Sequence, residues 1–290
     1  MRFTLELIIL GFCLGGLYAL VAAGYSLVYG VLRFINFAHG EVFTIGAYFA
    51  YVAWHYLGIS FPLALILIGA AGGAAVAALV ERVVYRPLSH TSNLLLLVTS
   101  IGVSIILRNL VSILFGDQFR SLRPPSAIRL IPLGSLQIPV SELYALVGVA
   151  IMGAALWLLI WKTDLGLKIR AVANSRDSSK AIGINIPRVV SSAFVIGGAY
   201  AGSSGVFAGM ISELTPQMGV LVGIKAFTIA VIGGIGNVTG SIITGFVVGI
   251  LEALAIGYFG AAYRDTLVFT VLVVALLIRP KGILPPRSHV

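Results

Sequence analysis

Apolar residues run through this chain in stretches far longer than a water-soluble helix or strand requires. From Leu7 to Leu32 there is no charged side chain. About 20 apolar residues cover the ~30 Å hydrocarbon core of a bilayer, so this stretch predicts a membrane helix with length to spare. It also outruns the short apolar core of a cleavable signal peptide, so it is expected to be retained. Arg33 and the run FINFAHGE (Phe34–Glu41) interrupt the apolar pattern, and Val42–Leu57 resumes it. Phe61–Val80, Leu94–Phe115, Leu143–Trp161 and Val189–Ile211 each read as a span. Gly223–Gly236 and Gly240–Ile256 are two apolar pieces split at Gly236–Asn237, and Thr266–Ile278 is the last. Three polar stretches separate these segments: Glu81–Asn93, the proline-rich Gly116–Ser141, and Lys162–Arg188. The pattern predicts an all-α integral membrane protein of roughly 8–10 transmembrane helices, one or two of them candidates for a break, in a single domain over residues 1–290.

Composition agrees. Charged residues make up 10% of the chain and apolar ones 59%, too little charge to cover a soluble surface. The 34 glycines suit helices packed backbone to backbone in lipid. The net charge of +9 is better explained by topology than by nucleic acid. Placing Arg33, Glu81–Asn93, Lys162–Arg188 and the tail from Arg279 on one side collects twelve of the nineteen Lys and Arg residues there. The other side holds six, with Lys225 among them, and Arg108 lies within a span. The basic side is therefore expected to be cytoplasmic, which puts Gly116–Ser141 and the N-terminus outside. A weak internal echo pairs Asn36–Gly40 and Gly46 with Asn237–Gly240 and Gly245, each interrupting an apolar region. Transporters often carry such paired interruptions, with the binding site between them.

Few residues carry chemistry. There is no GxxxxGK[ST], no HExxH and no GxSxG, so nucleotide hydrolysis, zinc hydrolysis and serine catalysis by those routes are excluded. Cys13 is the sole cysteine and matches no disulfide or metal spacing. The chain is expected to be neither an enzyme nor a metal protein. FINFAHGE has two readings: an unwound bend at membrane depth whose backbone, Asn36 and His39 line a path, or a tight turn at the water interface. The stretch Thr163–Val190 alternates charged and apolar positions and ends at Pro187, as expected of a short amphipathic helix on the cytoplasmic face that docks a partner. Arg108 and Glu252 lie toward span ends and are expected to snorkel to the interface. Gly197, Gly198, Gly202, Gly205 and Gly209 predict a helix–helix seam.

Five motifs, in order, resemble the permease subunits of ATP-driven importers for branched-chain amino acids. They are GLYALVAAGYSLVYGVLRFINFAHGEVFTIGAY (Gly16–Tyr48), ERVVYRPL (Glu81–Leu88), DLGLKIRAVANSRDSSKAIGINIPRV (Asp164–Val189), AFTIAVIGGIGNVTGSIITG (Ala226–Gly245) and RPKGIL (Arg279–Leu284). The resemblance implies a multi-pass protein of the bacterial inner membrane. Its implied partners are a homologous second permease, two cytoplasmic ATP-binding subunits, a periplasmic binding protein and the lipid around them. No cofactor is expected on this chain; ATP and Mg would sit on the partner ATPases. Ala171, Ala173, Ala181, Gly183, Ile184 and Pro187 are implied as the coupling surface. The Ala-Val-Ala-Asn at Ala171–Asn174 implies apolar docking where other importers place a glutamate. The substrate path is expected at Asn36, His39, Gly40 and Glu41 together with Gly233, Gly234, Gly236 and Asn237, with the small residues leaving room for cargo. Two rival readings remain open: the same machine carrying urea, short amides or a wider range of amino acids, and a stand-alone channel or secondary transporter.

Overall fold

The computed structural model describes residues 2–133, 136–279 and 282–284. Seven of its helical segments are long and apolar enough to cross a membrane. In chain order the helices are α1 (Arg2–Leu32), α2 (His39–His55), α3 (Pro62–Val80), α4 (Asn93–Phe115), α5 (Val140–Lys162), α6 (Asp164–Asn174), α7 (Arg176–Ala181), α8 (Ile186–Ile211), α9 (Met218–Gly233), α10 (Val238–Phe259) and α11 (Arg264–Ile278). α2 and α9, of 17 and 16 residues, are shorter than the other membrane helices except α11. Sequence-expected boundaries shift: the expected Gly223–Gly236 piece is Met218–Gly233, and two loops carry secondary structure of their own. Glu81–Tyr85 is not loop but a π-helical turn that extends α3, and Tyr85 is buried by it. The Gly116–Ser141 segment contains a small antiparallel hairpin, β1 (Leu130–Leu133) and β2 (Leu136–Pro139), with Leu130 opposite Pro139. The basic tail expected beyond Arg279 lies outside the described residues except for Gly282–Leu284.

The basic loops gather at one end. Arg33 donates to the carbonyls of Ala173 and Asn174 (3.1 and 3.3 Å), Arg176 to Val31 (3.1 Å), and Asn93 to Arg33 (3.5 Å). The N-terminus lies at the far end, where Thr4 shares a hydrogen bond with Tyr258. The placement of Arg33, Glu81–Asn93 and Lys162–Arg188 on one side therefore agrees with the sequence reading. Lys225 does not sit in a loop: it is buried within α9.

Two stretches of the chain repeat each other with opposite direction. α1 runs from the far end to the basic end, and α8 runs back. α1 ends at Leu32 and α8 at Ile211; α2 follows Ala38 and α9 follows Gln217; Gly40 corresponds to Gly219. The spacing is 179 residues throughout, and the hydrogen bonds obey it. His39 N donates to Asn36 O as Met218 N does to Thr215 O, and Glu41 N to Ala38 O as Val220 N does to Gln217 O. Packing is reciprocal too: α1 lies along α10, and α8 lies along α3. This is an inverted-topology repeat. It corrects the expected echo with Asn237–Gly240, because at this spacing the counterpart of Arg33–Ala38 is Ser212–Gln217. The Gly236–Asn237 interruption is a turn at the basic end, beside Gly30. The true second interruption holds Thr215 and Pro216 in place of glycines, which hid it.

Glycine sets the spacing of the bundle. Lipid supplies no hydrophobic drive between helices, so close backbone contact must hold them. A methyl group on Gly202 would stand 2.2 Å from the Gly69 carbonyl, and one on Gly40 would stand 2.2 Å from the Gly219 carbonyl. α1 and α8 are the most deeply buried of the spans, α4 and α5 are far less so, and α11 is almost wholly on the outside. The first two thus form the centre and the others face outward. Four of the five predicted seam glycines of α8 meet helices, Gly197 against α1, Gly198 and Gly202 against α3, and Gly205 against α2, while Gly209 meets Leu214 and Leu122 outside them.

Gly202→Ala is therefore expected to lower stability by about 1–3 kcal/mol through backbone displacement. Gly153→Ala, where a methyl group meets nothing within 4 Å, should be neutral or gain up to about 1 kcal/mol. Unfolding midpoints in detergent check the pair, and equal behaviour of the two variants would refute the packing argument.

Candidate functional site

α1 ends at Leu32, and Arg33 caps it in the left-handed region (φ 59°) with its N–H on the Tyr29 carbonyl. That sharp turn sends Phe34–Ala38 back into the bundle as non-helical chain. His39 Nε2 donates to the carbonyl of Val21 (3.3 Å). Val21 lies eleven residues before the end of α1, so His39 sits ~16 Å below that end at 1.5 Å per residue. FINFAHGE is thus a bend at membrane depth rather than a turn at the water interface.

The bend is held by side chains. Asn36 Oδ1 accepts from the Ala38 N–H (3.1 Å) and from the Tyr85 hydroxyl (2.7 Å). Ser100 of α4 donates to the Ile35 carbonyl and accepts from the Phe37 N–H, both at 3.2 Å. Irregular backbone inside a membrane survives only where such partners replace water. His39 packs edge-on against Tyr25. Glu41, in the first turn of α2, accepts from Ser104 of α4 (3.0 Å) and is buried, where a negative charge also complements the helix N-terminus. Arg108 stands within electrostatic reach of Glu41 and is half-buried, so it faces α2 instead of snorkelling clear.

The two expected halves of the path are not brought together. Gly40 and Gly219 lie against each other, whereas Gly233 is fourteen residues further along α9, ~21 Å away along its axis. Gly233 abuts Gly240, and Gly234 and Gly236 take positive φ (103° and 86°). Asn237 caps α10 by accepting from Gly240 N (3.1 Å) and donates to the Leu284 carbonyl (2.7 Å). This set closes the basic end of α9 and α10. Nor do the small residues leave open room: the volume beside Gly40 and Gly233 is filled by backbone.

A second interior group was not expected. Glu252 of α10 is fully buried and accepts from Lys225 Nζ (3.1 Å), from the Tyr18 hydroxyl (3.0 Å) and from Arg264 Nε. Lys225 also pairs with Asp265 (2.7 Å), and Arg264 donates to Tyr18 (2.9 Å). Glu252 does not snorkel because opposite charges from α9 and α11 meet it inside. Among the described residues no three His, Cys, Asp or Glu side chains gather as a metal site.

At the basic end the predicted amphipathic helix is two. α6 buries Gly166, Ile169 and Val172 on one face. Ser175 then breaks it and caps α7 by accepting from Ser178 N (3.2 Å). Ala171 and Ala173 are half-buried, Ala173 next to Gly30, while Ala181, Gly183 and Pro187 are exposed and Ile184 is half-buried. Ile182, absent from the expected coupling set, is 75% exposed at the tip. An apolar side chain that open to water in a charged segment was the available clue. Burial, and then the nearby charge of Arg33, holds the Arg176 guanidinium below its usual value. A cleft of about 550 Å³ separates α7 and the start of α8 from the Glu81–His90 stretch, with Arg86, Arg176 and Lys180 on its walls.

The Asn36–Tyr85 contact gives a direct test. Asn36→Ala frees two donors inside the bundle and should cost about 1–3 kcal/mol, and Tyr85→Phe about 1 kcal/mol. A double-mutant cycle read by thermal unfolding should return a coupling of about 1 kcal/mol; additive losses would show that the bend does not depend on this bond.

The family model for "Branched-chain amino acid transport system / permease component" matches residues 7–277. The chain is 37% identical to the high-affinity branched-chain amino acid transport system permease protein LivH of Escherichia coli (strain K12), over 94% of this chain and 93% of that protein. It is 36% identical to BraD of Pseudomonas aeruginosa, a permease protein of the same description, over 97% of this chain and 95% of that one. Among solved structures, PsaBC from Streptococcus pneumoniae in complex with Fab has the same fold, at a TM-score of 0.52 and 15% identity over 96% of this chain and 92% of that one.

Proposed function

The chain belongs to the branched-chain amino-acid transport permease family, and we propose on that premise that it is the membrane subunit of an ATP-driven importer that moves leucine, isoleucine or valine across the bacterial inner membrane. The observation that carries the reading is the match to permeases so described over residues 7–277, from α1 into α11. The proposed assembly adds a homologous second permease, two cytoplasmic ATPases and a periplasmic binding protein. ATP and Mg belong to the ATPases.

On this reading the basic end is cytoplasmic. The α6–α7 element is the coupling surface, with Ala181, Ile182, Gly183 and Pro187 reaching the ATPase. Ala171 and Ala173 transmit its movement to α1, against which Ala173 packs. Alternating access follows from the inverted repeat: its halves interchange roles as one side opens and the other closes. Gly40 and Gly219 are the contact across which α2 and α9 shift. Asn36, His39 and Glu41 line the path beside α4. A zwitterionic cargo with an apolar side chain needs few charges along its way, and the interior meets that need because Lys225 and Arg264 are balanced by Glu252 and Asp265.

The importer, co-expressed with its neighbouring reading frames and reconstituted in liposomes, is expected to co-purify with two ATPases and to take up leucine only with ATP and the binding protein. Uptake without an ATPase would overturn the reading. Ile182→Asp should cut binding-protein-stimulated ATPase activity at least about tenfold while leaving the unfolding temperature unchanged, since exposed substitutions rarely shift stability. Full stimulation in that variant would remove Ile182 from the coupling surface.

A further inference from the structure

Three buried oxygens in a row on α2 have no hydrogen-bond partner: Glu41 Oε2, Thr44 Oγ1 and the Tyr48 hydroxyl. Their residues are 1%, 0% and 2% exposed. Steps of three and then four residues place them on one helix face, within an arc of about 60°. The same three–four spacing continues to Tyr51 and His55, whose rings stack at 5.3 Å. Buried polar atoms are normally satisfied, and a file of three that are not, on one face of one membrane helix, points to something that occupies that face in turn.

The surroundings define a seam. Ser104 of α4 holds Glu41 Oε1 at 3.0 Å and leaves Oε2 free. Phe115 of α4 lies 4.8 Å from the Tyr48 ring, and the start of α9 backs Thr44 at Gly219. At the far end the seam is rimmed by Arg120, which donates to the Tyr51 hydroxyl (2.9 Å), and by Asp117, which accepts from Gln217 (3.1 Å). Hydrogen bonds from Ser112 and Gln217 hold that Asp117 carboxyl below the usual range. α4, which covers the file, faces outward over most of its surface. It is the least anchored wall, and its withdrawal would uncover the file from the far end down to Glu41.

We propose that this face of α2 is the wall along which the polar end of an α-amino acid moves, and that the free oxygen of Glu41 receives its ammonium group. The inference rests on the importer reading and names the group that recognises the cargo. Glu41 makes no salt bridge among the described residues, unlike Glu252, and Arg108 reaches it only electrostatically, so a charged donor gains a direct partner there. One carboxylate with neutral hydroxyls suits an ammonium and falls short of the oxygen cage a hard metal ion requires. Thr44 and Tyr48 each offer a hydroxyl that donates or accepts, so contact passes from one to the next.

The test uses the whole importer in lipid nanodiscs, with Thr44→Cys or Tyr48→Cys and the fully buried Cys13 left in place. Labelling is compared between a cationic and an anionic methanethiosulfonate reagent of similar size, with and without ATP. Reaction is expected in at least one nucleotide state, about tenfold or more faster with the cationic reagent, and Glu41→Gln should bring the ratio near one. No reaction in any state, or no charge preference, overturns the proposal. Should neither cysteine variant assemble, Glu41→Gln alone decides: at least an about tenfold rise in the leucine concentration for half-maximal uptake, largely reversed by Glu41→Asp, supports the role, and an unchanged value overturns it. If charge-selective labelling occurs in a complex that transports no leucine, the wall stands and the importer reading fails.

Discussion

A bilayer interior offers no water to hydrogen-bond an open backbone, and this constraint governs the rest of the structure. The chain leaves helical geometry inside the bundle at Phe34–Ala38 and again at Ser212–Gln217, where Leu214 and Pro216 are buried while Ser212, Glu213 and Gln217 are exposed. Both breaks are closed by local bonds of identical pattern, from residue 39 to 36 and 41 to 38, and from 218 to 215 and 220 to 217. What remains open at the first break is closed by Asn36, Ser100 and Tyr85. The short helices α2 and α9 exist because each begins inside, after its break. Their mutual approach at Gly40 and Gly219 follows from where the breaks lie.

Contact without hydrophobic drive needs small residues, so the glycine content and the inverted repeat are one fact seen twice. α1 meets α10 through Gly11 and Gly15 against Gly249 and Ile250, and α8 meets α3 through Gly198 and Gly202 against Gly69 and Gly73. Opposed charges serve where glycine does not. α11, which buries little of itself, is tied to the core by Arg264 and Asp265. Breaking a buried pair leaves a charge uncompensated, at about 3–5 kcal/mol, so such a tie is directional even where its net worth is small.

Span positions were legible because a run such as Leu7–Leu32 has few alternatives in water or lipid. The bend at Asn36–Glu41 was legible as an anomaly, and its depth was not, since depth is set by the return turn at Arg33 and the contact with Val21. Glu252 was misread because its partners lie 27 residues before it, 12 after it and 234 before it, beyond any local pattern. The repeat was sought in the wrong place: Gly-Asn at Gly236–Asn237 looks like a break, while Thr215–Pro216 follows α8 with little contrast. Ala171–Pro187 was recognised by motif, and only burial separates the half-buried alanines of α6 from the exposed tip at Ile182.

The repeat also exposes an asymmetry that bears on mechanism. At the shared spacing of 179 residues, Glu41 of α2 corresponds to Val220 of α9, and Lys225 of α9 to Gly46 of α2. Each short helix thus carries one buried charge where its twin carries none. The lysine is fully matched, by Glu252 and Asp265. The glutamate keeps one oxygen free and borrows only a serine from α4. Two backbones of the same shape thus differ in how their buried charge is met. α9 is tied by its charge to α10 and α11. α2 is left with an unmet acceptor against the most lightly packed neighbour, α4. On the proposed importer reading, movement at α9 would have to break charge pairs that movement at α2 would not, and this distribution of charge sets that difference without altering the fold.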